Sequence, residues 1–170
     1  MNNVTLIGMP GSGKSTIGVI LAKALRYEFL DSDLLIQKQE KRKLSEIIAQ
    51  DGPERFKEIE NQVNADIRVT DTVIAPGGSV IYCEEAMEHL KSIGNIIYLK
   101  LSLESLSKRL GDLKGRGVLL KDGQTLKDLY EERVPLYEKY ADITIPLDGM
   151  SIEETVGTLV PLIVKFQRNE

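Results

Sequence analysis

Residues 8–15 read Gly-Met-Pro-Gly-Ser-Gly-Lys-Ser. The pattern Gly8-x-x-x-x-Gly13-Lys14-Ser15 sets amide donors, an ammonium and a hydroxyl within one short arc. Glycines let the backbone wrap closely, so several N–H groups can converge on an anion. In such a loop Lys14 reaches the β- and γ-phosphates and the Ser15 hydroxyl ligates Mg²⁺. That is the chemistry of holding a nucleoside triphosphate. The plain alternative is a glycine-rich strand-to-helix turn with no ligand. An apolar strand before the loop and an amphipathic helix after it favour the phosphate reading.

Other residues could act on an acceptor. In an open parallel sheet, ligands gather outside the carboxyl ends of the strands. After the expected second strand comes Asp31-Ser32-Asp33. One carboxylate can help place Mg²⁺ through water, and the other can take the proton of a substrate hydroxyl. The competing role for Asp33 is a helix N-cap. After the third strand come Gly77 and Gly78, which permit close backbone approach to a ligand or simply make a turn. Arg116 lies in a glycine-rich stretch, residues 111–123, and suits a lid that closes over a transferring phosphoryl group. A solvated loop arginine is the other reading. Arg133 shares a helical stripe with Leu126, Leu129 and Tyr130, where a charge is costly unless paired. It could present its fork to a substrate carboxylate or to a partner within the protein, such as a glutamate. Pro135 follows it, so a helix break or restart is expected there. Cys83 and His89 each stand alone of their kind, with no metal-ligand spacing around them, and read as structural.

These residues need a frame to hold them. Short apolar runs at residues 4–7, 27–30, 72–76, 95–101 and 142–146 read as strands. Between them lie helical patterns at residues 17–25, 44–50, 54–68, 84–91, 103–110 and onward from the N-cap candidate Thr125. Ser151 to Glu154 forms a capping-box pattern that opens a C-terminal helix. Strands alternating with helices imply a parallel sheet covered on both faces.

The chain has 170 residues, a length suited to one domain with a sizeable core. Its 22 basic and 26 acidic residues give a formal net charge of −4. That balance argues against a nucleic-acid or membrane-surface partner. With Cys83 as the single cysteine there is no intrachain disulfide, which fits a reducing cytoplasm. The start of the chain has no signal-peptide pattern, and the apolar run near its end is short and interrupted by Pro161 and Lys165. A cytoplasmic location is therefore expected.

Taken together, the chain resembles the shikimate kinase family over nearly its whole length. The resemblance rests on "GMPGSGKST", the Asp31-Ser32-Asp33 run, "DGPERFKEIE", "PGGS", Arg116 and "RVPLYEKYAD" from Arg133. It implies one P-loop kinase domain over residues 1–170, an α/β fold in three layers. Its sheet would have five parallel strands in the order 2-3-1-4-5, and residues 111–123 would be a mobile lid. It implies ATP- and Mg²⁺-dependent transfer of a phosphoryl group to the 3-hydroxyl of shikimate. Nucleotide contacts fall on Gly11, Ser12, Gly13, Lys14, Ser15 and Thr16, with Arg109 near the adenine. Mg²⁺ falls on Ser15, with Asp31 behind it through water. Shikimate falls on Asp33, Gly77, Gly78 and Arg133, and the lid contact to phosphate on Arg116.

Three positions depart from the family pattern. Lys57 stands where the family has an arginine that binds the substrate carboxylate. Ser79 stands where a third consecutive glycine is usual, and Gly117 where a proline follows the lid arginine. A lysine keeps the charge but loses the bidentate fork, so Lys57 is retained as a carboxylate contact. Two of the three departures touch the acceptor half. A kinase for another small hydroxylated acid is the first alternative, and a non-catalytic nucleotide-binding module the second. A nucleoside monophosphate kinase would call for a richer arginine cluster. The expected partner is a small hydroxy acid, and the expected state a monomer.

Overall fold

The computed structural model describes residues 2–110 and 121–168. The expected lid, including Arg116 and Gly117, therefore lies almost wholly outside the described residues.

Five strands form one sheet: β1 (Asn3–Ile7), β2 (Glu28–Asp31), β3 (Thr72–Ala75), β4 (Gly94–Lys100) and β5 (Ile143–Pro146). All pairings are parallel, in the order β2-β3-β1-β4-β5. Register is set at the centre, where Val4 faces Val73 on one side and Asn95 on the other. β1 and β3 are buried throughout, as their near-continuous apolar runs require of strands covered on both faces. The expected strands are all present, with ends moved by a residue or so.

The helices are α1 (Lys14–Leu25), α2 (Ser32–Glu40), α3 (Leu44–Ala65), α4 (Glu84–Ile93), α5 (Leu103–Arg109), α6 (Leu126–Tyr140) and α7 (Ile152–Gln167). α1 packs on the strands and on α7, while α3 packs on α2 and α4. Thr125 and Ser151 do cap α6 and α7 through reciprocal capping boxes with Asp128 and Glu154.

The two helical patterns expected at 44–50 and 54–68 both form, as the halves of α3 on either side of a kink at Gly52 (φ 85°, ψ 165°), the second half ending at Ala65. Pro53 opens the second half, where its missing N–H would lack a partner anyway. At Pro135 the chain does not break: α6 continues through it to Tyr140. Pro135 cannot bond the carbonyl of Glu131, but both residues are exposed, so water can take that carbonyl.

The core is in two parts. The larger surrounds the sheet and includes Leu6, Ile74, Ile97, Leu129 and Leu159. The smaller holds α2 against α3 through Ile36, Ile47, Phe56, Ile59 and Val63. Parallel strands point their carboxyl ends the same way, so the chain leaving β1, β2 and β3 emerges at one edge.

Candidate active site

A cleft of about 410 Å³ opens at that edge. The loop between β1 and α1 forms one wall. Gly13 is the N-cap of α1, at φ 96°, a conformation that only glycine adopts freely. No side chain caps α1, and its first turn carries no acid. Its leading N–H groups and the positive end of its dipole are thus open to an anion. Lys14 Nζ donates to the carbonyls of Gly8 and Met9 at 2.9 and 3.0 Å, which holds the ammonium over the loop. Burial pulls the Lys14 ammonium down to about 8, against the raising field of Asp33. Ser15 and Thr16 line the cleft beside Lys14, whereas Ser12 is buried beneath the loop. At the end of α5, Arg109 approaches the Gly11 carbonyl to 3.5 Å.

The second wall begins where β2 ends. Asp31, not Asp33, caps α2: its Oδ1 accepts from the backbone N–H groups of Asp33 and Leu34. Its other oxygen, Oδ2, accepts the Ser15 hydroxyl at 3.0 Å. One carboxylate thus fixes the start of α2 and ties it to the phosphate loop. A hydroxyl and a carboxylate so close fit Mg²⁺, which binds through one or two protein oxygens, substrate phosphates and waters. Asp33 is freed from capping and lies in the first turn of α2. Burial, with help from Asp31, raises its carboxyl to about 6. Its Oδ1 is buried without a hydrogen-bond partner.

The floor follows β3. A Cβ on Gly77 would come within 2.7 Å of Asp33 Oδ1 and 2.9 Å of Glu60 Oε1. A Cβ on Gly78 would press on Pro10 at 2.8 Å and on Arg133 at 3.1 Å. The glycines here are needed for close approach. The Tyr137 hydroxyl donates to the Gly78 carbonyl, and its ring stacks on Tyr98 with centroids 5.0 Å apart. Arg133, 1% exposed, reaches the cleft from α6. Its guanidinium carbon lies 5.4 Å from the centre of the Tyr82 ring, within cation–π range.

Lys57 is placed differently. It lines a neighbouring groove with Glu54, Glu58 and Tyr82 rather than the cleft itself. Its Nζ sits 5.9 Å from the centre of the same Tyr82 ring. Arg133 and Lys57 thus meet at one aromatic platform. Cys83 is buried, and that burial pushes its thiol up to about 12.

One residue escaped the sequence reading. Glu60 on α3 is fully buried and accepts the Ser79 hydroxyl at 2.7 Å through Oε2. Burial lifts its carboxyl to about 7, and the Ser79 bond opposes that. A signal was available: Glu60 follows Phe56 and Ile59 on the apolar stripe of α3, as Arg133 sits on the stripe of α6.

Comparison with known proteins agrees with this geometry. The family model for shikimate kinase matches residues 10–163. A shikimate kinase of Clostridium botulinum (strain Eklund 17B / Type B) is 35% identical over 164 residues, which cover 96% of this chain and 98% of its relative. The chain belongs to the shikimate kinase family. Among solved members, the shikimate kinase from Acinetobacter baumannii in complex with shikimate superimposes with a TM-score of 0.87 at 30% identity. That match covers 97% of this chain and 94% of the other. The shikimate kinase from Aquifex aeolicus gives 0.84 at 31% identity, covering 97% and 98%. The family's five-stranded parallel order is the order found here. No helix among the described residues is long and apolar enough to cross a membrane.

Proposed function

We propose that the protein transfers the γ-phosphoryl group of ATP to the 3-hydroxyl of shikimate. The observation that carries this reading is the cleft itself. It joins an uncapped helix N-terminus and Lys14 on one wall to Asp33 and a buried arginine, Arg133, on the other. In this reading the loop amides of residues 11–16 and Lys14 bind the phosphates, and Arg109 borders the nucleoside. Ser15, with Asp31 behind it, would hold Mg²⁺, which when bound would neutralise charge on the transferring group. Arg133 meets the acceptor carboxylate with a two-pronged hydrogen bond, and Lys57 adds a second cation from across Tyr82. Gly77 and Gly78 let the acceptor ring lie against the backbone. Asp33 orients the acceptor hydroxyl and takes its proton. A carboxyl raised to about 6 suits that task, since a base works best with a pKa near the operating pH. Arg116, outside the described residues, is the cation assigned to the transferring phosphoryl group, where such an arginine is worth roughly 10³–10⁵ in rate. A monomer in the cytoplasm completes the reading.

The test is a coupled assay with ATP and Mg²⁺ on shikimate, quinate and gluconate, with the product's phosphate located by NMR. Shikimate 3-phosphate should form with the highest kcat/KM. Asp33→Asn should keep ATP binding and lose transfer. A better rate on another hydroxy acid would move the substrate assignment, and a fully active Asp33→Asn would remove the base.

A further inference from the structure

Behind the cleft floor, two carboxylate oxygens stand without partners: Asp33 Oδ1 and Glu60 Oε1, both buried. They flank one glycine, since a Cβ on Gly77 would approach them to 2.7 and 2.9 Å. An unpartnered buried acceptor is costly to keep. Glu60 itself is not free to turn away. Its Oε2 accepts the hydroxyl of Ser79, a residue only 7% exposed and two places along from Gly77. A carboxylate anchored by one oxygen aims the other.

We propose that Ser79 is a positioning residue for the acceptor half of the site, its hydroxyl pinning Glu60 so that Oε1 stays beside Asp33 at Gly77. The proposal rests on the kinase reading above, but the contact it names exists in the protein alone. A glycine or alanine at this place has no hydroxyl to give. Glu60 would then be held by the groups around it: Asp33 from α2, Lys14 from α1, Cys83 just before α4, and Arg133 and Tyr137 from α6. Lys14 and Arg133 attract its carboxylate and Asp33 repels it, but with the Ser79 bond gone the Oε1 oxygen is no longer aimed at one place. The Oε1 position behind Gly77 is lost, and with it a support of the acceptor floor. On the nucleotide wall, Lys14 keeps its bonds to the Gly8 and Met9 carbonyls. Ser79 also favours the ionised form of Glu60, whose carboxyl burial lifts to about 7.

Two measurements on Ser79→Ala test this. The first is the Glu60 carboxyl titration by ¹³C NMR, without acceptor or nucleotide. Its midpoint should move to higher pH than in the wild type. The second is steady-state kinetics on shikimate. KM for shikimate should rise about tenfold, the scale of a hydrogen bond to a charged group, while KM for ATP stays within twofold. The same substitution made in Glu60→Gln should add less than twofold, because the charge that Ser79 steadies is gone. Ser79→Gly removes the same hydroxyl with less volume and should reproduce both results if Ser79→Ala does not fold. An unmoved Glu60 titration overturns the proposal. So does a rise in KM of equal size with and without Glu60. If the wild type were to ignore shikimate, the kinase reading would fall, and the NMR titration would still decide the Ser79–Glu60 contact.

Discussion

Lys57 is the residue at which this chain departs most from its relatives' expected chemistry. An arginine there would offer two parallel donors to a carboxylate, whereas a lysine offers one compact charge on a flexible stem. Lys57 shares the Tyr82 ring with Arg133 but lines the next groove, not the cleft. Lys57→Ala should raise KM for shikimate by about 10- to 150-fold, the worth of one charge-assisted contact of roughly 1.5–3 kcal/mol. kcat should change little, because the contact is made equally in the ground and transition states. Lys57→Arg should preserve or lower KM. Steady-state kinetics on both variants checks this, and a change under twofold for Lys57→Ala would leave Arg133 as the carboxylate's cation.

The helices divide the labour of the site. α1 carries the phosphate loop and packs into the larger core around the sheet. α2 and α3 carry Asp33 and Glu60, and are held together by their own smaller cluster. Ile47, fully buried in that cluster, links the two helices without lining the cleft. Ile47→Ala should cost about 2–5 kcal/mol of stability. Its kinetic effect should be one-sided, with KM for shikimate rising and KM for ATP staying constant. Urea unfolding and a two-substrate kinetic analysis measure both parts. Equal loss on both substrates would show that the two cores act as one.

At the scale of the whole molecule, the active site is paid for in charge burial. Asp33 rises from 3.8 to about 6 and Glu60 from 4.5 to about 7, both chiefly through loss of water. Each folded pKa lies above its unfolded value, so the folded protein holds more protons than the unfolded chain between about pH 4 and pH 7. Stability should therefore fall as pH rises through that window. The lowered carboxyls of Asp51, Asp128, Glu132 and Asp148 act in the opposite direction, but only below their ordinary range, at more acid pH. Urea midpoints at pH 5, 6 and 7, below the range in which the lowered Lys14 ammonium acts with the opposite sign, should decline for the wild type and decline less steeply for Glu60→Gln. A flat or rising wild-type profile would refute the assigned burial cost.

The sequence by itself determined the features that neighbours in the chain create. The phosphate loop at residues 8–15, the capping boxes at Thr125 and Ser151, and the apolar runs of the strands depend on spacing alone. Motif order added the family and, through it, the strand order. Packing decided the rest. Asp31 and Asp33 are chemically alike and nearly adjacent; the cap bonds of Asp31 are local, but only the folded site brings its other oxygen to Ser15 and buries Asp33. Pro135 reads as a break until α6 turns its exposed side, and the unpaired carbonyl, to water. Glu60 reads as an ordinary helix glutamate until α3 is laid against Gly77 and Ser79. Periodicity and capping arise from bonds within a few residues, so they can be read from order along the chain. The burial of a charge and the choice of its partner arise from residues far apart in sequence, and exist only once the helices have closed on the sheet.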